Sequence, residues 1–193
     1  PSTRRPWNGQ SLPDDDGPVR RSYTLLEYEG RLYPSLSISV LRQLASDPVH
    51  RADIRVETGR IFVDNANRVD ADNRPAPIAY TIPIDAQGRM NVHYYGGMGT
   101  YQYFPYVELL ILASAETLDT AAMQQFRDKI VFVGSTATGL MDLRATPFSS
   151  TYAGVETHAT MLNNMLEQDF LTDEPRWLLL VVLLALSGVM GLW

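Results

Sequence analysis

The sequence contains no cysteine in its 193 residues. This absence excludes a disulfide framework and thiolate metal sites, but it does not fix the compartment, because many exported proteins also lack cysteine. Basic residues are outnumbered by acidic ones, and the formal net charge at pH 7 is -6. A nucleic-acid partner requires a basic face that displaces counterions from phosphates. We therefore expect no nucleic-acid partner.

Metal-ligand spacing is missing as well. The chain has three histidines, and neither His50 nor His93 has a partner at the spacing that metal sites use. The acidic run at residues 14–16 lacks the glycine and the final glutamate of an EF-hand calcium loop, and the carboxylates between residues 64 and 72 do not have the spacing of a metal site. We expect neither a metal nor another cofactor.

The chain does contain enough apolar residues for one folded domain, with 45% hydrophobic and 20% charged residues. Residues 130–133 are all apolar and lie between a charged lead-in and a turn of small residues, which predicts a strand buried on both faces of a sheet. A helical pattern precedes this strand and predicts a βαβ crossover. The predicted fold class is α/β, with a mostly parallel or mixed sheet, helices packed on it and a C-terminal transmembrane helix.

Local signals predict several further elements. Ser35 is a typical helix N-cap, and Thr58-Gly59 is the two-residue turn of a β-hairpin. A second strand pair is expected around residues 85–88, and the apolar run 107–115, after Pro105, should form a largely buried helix. The core faces of two helices are predicted to consist of Leu36, Val40, Leu41 and Leu44 in one, and of Val155, Ala159, Leu162 and Leu166 in the other.

The C-terminal residues 177–193 contain no charged side chain. As a helix they would cover about 25 Å, close to the roughly 30 Å of a hydrocarbon core. This pattern predicts a transmembrane helix that the end of the chain interrupts, although a buried core helix is the alternative. Because the chain begins at Pro1 without a signal peptide, we expect a fragment of a larger membrane protein. The expected division is a loop or tail at 1–20, a domain at 21–175 and the helix at 176–193.

The turn after the predicted central strand is the expected ligand crevice, because open α/β sheets bind ligands at the carboxyl ends of their strands. It is not a phosphate-binding P-loop, since Leu140 and Met141 stand where a lysine and a hydroxyl are required. It is not a nucleophile elbow either, since Ser135 lacks the flanking glycines. A hydrolytic triad of Ser135, Asp142 and His158 remains an alternative.

The candidate ligand-binding residues follow from position and chemistry. Backbone donors and hydroxyls are available in the turn itself, and the charged side chains beyond it could set charge preference; an anion is favoured if the turn also caps a helix. One further candidate belongs to an aromatic segment that leads into the glycine-rich loop of residues 96–99, which is either a ligand contact or a chain reversal. These candidates are Gly134, Ser135, Thr136, Asp142, Arg144, His158 and Tyr95. For His158, a structural hydrogen bond is the alternative role.

Several stretches carry a likeness to a known family. They are residues 82–85 (IPID) before a glycine turn, 91–96 (NVHYYG), 129–137 (KIVFVGSTA), Asp142 with Thr146-Pro147, and 154–159 (GVETHA). In this order and spacing they resemble the CHASE sensor domains of type two.

The resemblance implies a sensory module outside the cytoplasmic membrane of a bacterial receptor, followed by transmembrane helices and an effector. The effector would be a nucleotide cyclase, a serine/threonine kinase or a histidine kinase, which lies outside these residues. We therefore expect a non-catalytic chain with an unknown small-molecule or protein signal, which attaches to the membrane through its C-terminal helix. A structural dimerisation module, acting as a homodimer, is a further alternative.

Overall fold

The computed structural model describes residues 13–46, 51–64, 80–114, 123–136, 143–172 and 176–191. Strands and helices are mixed along the chain. In chain order they are β1 (Arg21–Tyr23), β2 (Leu25–Tyr28), β3 (Arg31–Pro34), α1 (Leu36–Ala45), β4 (Ile54–Glu57), β5 (Arg60–Val63), β6 (Tyr80–Pro83), β7 (Arg89–Asn91), α2 (Tyr106–Ser114), β8 (Leu143–Arg144), β9 (Tyr152–Ala153), α3 (Gly154–Glu167) and α4 (Arg176–Gly191).

The strands form small antiparallel sheets. Within the described ranges, β1 pairs with β7, β2 with β3, β5 with both β4 and β6, and β8 with β9, and every ladder is antiparallel. The predicted combination of helices and strands is confirmed, but the predicted mostly parallel or mixed sheet is replaced by small antiparallel sheets in this part of the chain. For two of the ladders the physical reason is connection length, because two-residue turns join β2 to β3 and β4 to β5, and such short turns permit only antiparallel pairing.

The hairpin predicted at Thr58-Gly59 is confirmed. Glu57 lies opposite Arg60 in the register, and Gly59 has the positive φ of 79° that the tight turn requires. The second predicted strand pair is different in the structure. Asp85 does close a turn, because its backbone N–H donates to the Arg89 carbonyl at 2.8 Å, but β6 then pairs with β5 and β7 pairs with β1.

Helix α1 begins as predicted, with the Ser35 hydroxyl accepting from the Ile38 N–H at 3.4 Å. The buried face of α1 is rotated by part of a helical turn from the predicted face. The structure buries Ser37, Ile38, Leu41 and Ala45, whereas Leu36 and Leu44 are exposed. Helix α1 packs against α3 and also contacts β3 and β5, and Ser37 on its buried face contacts His158 of α3.

Helix α3 packs against α1 and also contacts β6 and β9, so it lies at the centre of the described body. Of the predicted stripe, Leu162 is fully buried, and Val155, Ala159 and Leu166 are partly exposed. The buried face is unusually polar. Its members are Glu156, Thr157, Thr160, Met161, Leu162, Asn164 and Met165.

The predicted central strand at residues 130–133 is wrong. No described strand pairs with this segment, and Ile130, Val131 and Val133 are 45%, 54% and 73% exposed. Only Phe132 packs against the hydrophobic core. Helix α2 begins after Pro105 as expected, but none of its residues is buried. Without a paired strand and a helix packed on it, the βαβ crossover is not formed in the described residues.

Helix α4 extends over 16 residues. Among the described residues, no helix is both long enough and apolar enough to cross a membrane. The predicted transmembrane helix is therefore unsupported by this part of the structure.

Candidate functional site

The predicted turn is a packing site in the structure. A Cβ atom added to Gly134 would lie 2.5 Å from the Cβ of Val155, so glycine allows the backbone to approach the first turn of α3. Ser135 is half-buried and Thr136 is exposed. Asp142 lies outside the described residues, so the candidate triad stays a prediction.

His158 makes a structural contact between α1 and α3. Its Nδ1 lies 3.1 Å from the Ser37 hydroxyl, which in turn donates to the His158 carbonyl at 3.0 Å. Since that hydroxyl has a single proton, we infer that Nδ1–H of His158 is the donor to it. Arg144 is half-buried in β8, opposite Tyr152 in the strand register. Tyr95, another of the predicted site residues, belongs to a cluster of hydrogen-bonded side chains.

That cluster is organised by Asn164, a residue of α3 with 0% exposure. Its Oδ1 accepts from the backbone N–H of His93, and its Nδ2 donates both to the His93 carbonyl and to the Tyr95 hydroxyl, all at 3.0 Å. The Tyr95 hydroxyl then donates to Oδ2 of Asp169 at 3.1 Å, and Nδ1 of His93 lies 3.0 Å from the same oxygen. The Asn164 amide therefore uses its oxygen and both of its N–H groups in hydrogen bonds to His93 and Tyr95.

The four residues 168–171 that leave α3, here called the exit segment, are held by hydrogen bonds to the strands. Oε1 of Gln168 accepts from the Thr81 N–H at 3.1 Å, and Nδ2 of Asn91 donates to the Leu171 carbonyl at 3.1 Å. Together with the contacts of Asp169, they tie the exit segment to β6, to β7 and to the residues after β7. Helix α4 begins at Arg176, soon after this segment.

A second cluster surrounds the first turn of α3, where Glu156 is only 3% exposed. Its carboxylate accepts from the backbone N–H groups of Gly99 at 3.1 Å and Tyr101 at 3.3 Å, and from the Tyr103 hydroxyl at 2.6 Å. The carboxylate is the acceptor in all three of these contacts. The positive end of the helix dipole stabilises an anion at this position. Glu156 thus fixes the glycine-rich loop onto α3.

Tyrosine side chains fill the space beside Glu156. The rings of Tyr94 and Tyr152 meet edge to face, with centroids 5.2 Å apart. The Thr160 hydroxyl donates to the Glu156 carbonyl at 2.9 Å, so the Tyr152 hydroxyl is the donor in its 3.1 Å contact with Thr160. Burial raises the pKa of Tyr152, and partial burial and the Glu156 carboxylate raise the pKa of Tyr103.

Two hydroxyls in this cluster are buried without a hydrogen-bond partner in the described structure, those of Tyr94 and Tyr101. Thr157 lies beside the Tyr94 hydroxyl and Thr160 beside the Tyr101 hydroxyl, and each threonine lowers the pKa of its neighbour, but neither contact has the geometry of a hydrogen bond. Burial raises the pKa of Tyr94 to about 12 and also raises the pKa of Tyr101. We name Tyr94, Tyr101, Tyr103, Tyr152, Glu156 and Thr160 the tyrosine cluster.

The sequence contains a polar pattern on α3 that indicates both clusters, although the buried face of this helix was predicted from its apolar stripe. Glu156, Thr160 and Asn164 recur every four residues, so they share one face of α3. Polar residues in such a row normally face solvent, but here they are buried because each finds a hydrogen-bond partner inside the fold.

Comparison with protein families matches residues 8–192 to the CHASE2 domain, which covers nearly the whole chain. CHASE2 domains form a family of sensory domains found in signalling receptors. Neither the curated proteins nor the solved structures give a significant match. The resemblance predicted from the sequence is thus confirmed, and the chain belongs to the CHASE2 domain family.

Proposed function

We propose that the chain is the extracytoplasmic sensory module of a bacterial membrane receptor, and that it passes its state to a cytoplasmic effector. The effector would be a nucleotide cyclase, a serine/threonine kinase or a histidine kinase. The observation that carries this proposal is membership of a sensory family across residues 8–192. The location and the coupling to an effector are the steps that the proposal adds.

Helix α3 is the proposed route of the signal. Glu156 in its first turn holds the glycine-rich loop, and Asn164, eight residues and about 12 Å further along the helix, holds the residues that fix the exit segment. A ligand shifts a conformational equilibrium only by its different affinity for the two states. A conformational change at the tyrosine cluster would be transmitted to the exit segment by this helix, without passing through a long loop.

The proposal assigns no catalysis to the chain itself. It is supported by the contact of His158 Nδ1 with Ser37, which leaves that nitrogen engaged in packing α1 on α3. A Ser135→Ala variant should therefore show the same ester or phosphoester hydrolysis as the wild type, measured on matched protein preparations. A large loss of rate with an intact fold would favour a hydrolase.

The location can be tested because the chain has no cysteine of its own. We would place a single cysteine in the full-length protein at the exposed Ser150, or at Ser22, which is 2% exposed, as the matched buried control. Intact cells are then treated with a membrane-impermeant maleimide. The proposal predicts labelling of Ser150→Cys in intact cells and of Ser22→Cys only after denaturation. Labelling of Ser150→Cys only after lysis would contradict it.

The coupling is tested by effector output in the same full-length protein. Asp169→Asn removes the negative charge of the carboxylate that contacts both His93 and Tyr95. Glu167→Gln changes an exposed carboxylate that makes no hydrogen bond among the described residues. Coupling free energies of about 1–3 kcal/mol correspond to changes of about fivefold or more. We expect Asp169→Asn to change output by that factor and Glu167→Gln to leave it unchanged. Equal outputs for the two variants would refute the proposed route.

A further inference from the structure

We propose that the tyrosine cluster binds a small uncharged molecule that both donates and accepts hydrogen bonds, of the size and chemistry of a simple amide. This inference rests on the proposed sensory function and gives it a ligand class. Its starting point is the pair of buried hydroxyls without partners, on Tyr94 and Tyr101.

Leaving such groups unpaired is costly. A buried donor or acceptor without a partner destabilises a fold, which is why most buried polar groups in proteins are satisfied. Tyr94 is 3% exposed, and its ring packs on Tyr152, whose own hydroxyl is satisfied by Thr160. The two hydroxyls lie beside Thr157 and Thr160, which are three residues apart on α3, and neither threonine completes a hydrogen bond to them. They mark one location where a ligand would gain hydrogen bonds.

The surroundings select against charged ligands. Glu156 is a buried carboxylate and, within the described ranges, has no Lys, Arg or His partner, so a second negative group beside it is disfavoured. Its oxygens already accept hydrogen bonds from Gly99, Tyr101 and Tyr103, which leaves little capacity for a cation. No group of three His, Cys, Asp or Glu side chains in the described residues could hold a metal ion.

The remaining class is a neutral molecule with both kinds of group. Each phenol hydroxyl can donate one hydrogen bond and accept others, so a ligand bridging Tyr94 and Tyr101 is bound best when it offers a carbonyl and an N–H or O–H. Access would come through the glycine-rich loop, which Glu156 fastens by its backbone at Gly99 and Tyr101. A bound ligand would therefore stabilise the attachment of that loop to α3.

The test is thermal unfolding of the full chain with three probes of similar size and different charge, namely acetamide, acetate and methylammonium, with sodium chloride as the salt control. We expect acetamide to raise the Tm of the wild type by a few degrees, and to lose this effect in both Tyr94→Phe and Tyr101→Phe. A larger shift with acetate or methylammonium would overturn the ligand class. An equal acetamide shift in all variants would overturn the site.

The variants without any probe supply a second readout, with Tyr152→Phe as the matched control because its hydroxyl is paired. Removing an unpaired hydroxyl should leave the Tm unchanged or raise it, whereas Tyr152→Phe should lower it. If Tyr94→Phe lowers the Tm as much as Tyr152→Phe, a permanently held water already satisfies the hydroxyl and the inference fails. That failure would leave the maleimide and effector results untouched, so the two proposals are judged separately.

Discussion

Replacing Asn164 by alanine removes the connection between α3 and the segment that follows β7. The side chain is fully buried and makes three hydrogen bonds of 3.0 Å, two with the backbone of His93 and one with the Tyr95 hydroxyl. Alanine cannot replace any of them. The backbone N–H and C=O of His93 would then be left without their partner inside a partly buried region.

The expected loss follows from that count. A net hydrogen bond contributes about 0.5–1.5 kcal/mol, and an orphaned buried group costs about 1–3 kcal/mol. Because the residues around His93 keep some exposure, we expect a total loss of about 2–4 kcal/mol of unfolding free energy. In a chain of this size about 1 kcal/mol lowers the Tm by about 2–4 °C, so the Tm should fall by roughly 10 °C.

Urea denaturation followed by circular dichroism measures this loss directly. Asn163→Ala is the matched control, since Asn163 is the preceding residue of the same helix and makes no side-chain hydrogen bond in the described part of the chain. We expect that control to change the unfolding free energy by less than about 0.5 kcal/mol. Equal losses for the two variants, or a loss below about 1 kcal/mol for Asn164→Ala, would refute the role assigned to the amide.

Three further predictions concern the other contacts of α3. Gly134→Ala should cost about 1–3 kcal/mol in denaturation experiments, because its Cβ meets Val155, and a neutral result would contradict the close approach. Glu156→Ala should cost about 1.5–3 kcal/mol, since it leaves the Gly99 and Tyr101 N–H groups and the Tyr103 hydroxyl without their acceptor; Glu167→Ala serves as the exposed control, and equal stability of the two would be contrary evidence. The raised pKa of Tyr94 predicts constant stability below pH 10 and a loss of up to about 3 kcal/mol between pH 10 and 12, because the unfolded state releases its proton first. Denaturation across that range should show a smaller loss in Tyr94→Phe, and identical pH profiles would disprove the assignment.

The correct predictions about the fold are those that depend on local sequence signals. The Ser35 cap, the Gly59 turn and the helix start after Pro105 each depend on one or two residues and their immediate neighbours, so the sequence contains all the information that they need. Burial depends on distant residues. An apolar run such as 130–133 shows that a strand is possible, but it does not show which strand would pair with it.

The candidate site was harder to predict for the same reason. Tyr95 was found because an aromatic residue beside glycines is a local signal, whereas Glu156 and Asn164 matter through partners more than fifty residues away. The apolar stripe along α3 was a poor guide, since the buried face contains a carboxylate, two threonines and an amide. Such a face is stable only when each polar group is paired, and pairing of that kind is a property of the three-dimensional fold.

The central claim is that α3 connects the tyrosine cluster to the exit segment, and amide hydrogen exchange tests it most directly. Glu156→Ala, made in the full chain, releases the glycine-rich loop far from the exit segment, whose Asp169 N–H donates to the Asn164 carbonyl at 2.9 Å. The account predicts that exchange in residues 168–171 becomes about tenfold faster, equivalent to about 1.4 kcal/mol. Faster exchange confined to residues 97–103, with the exit segment unchanged, would contradict it.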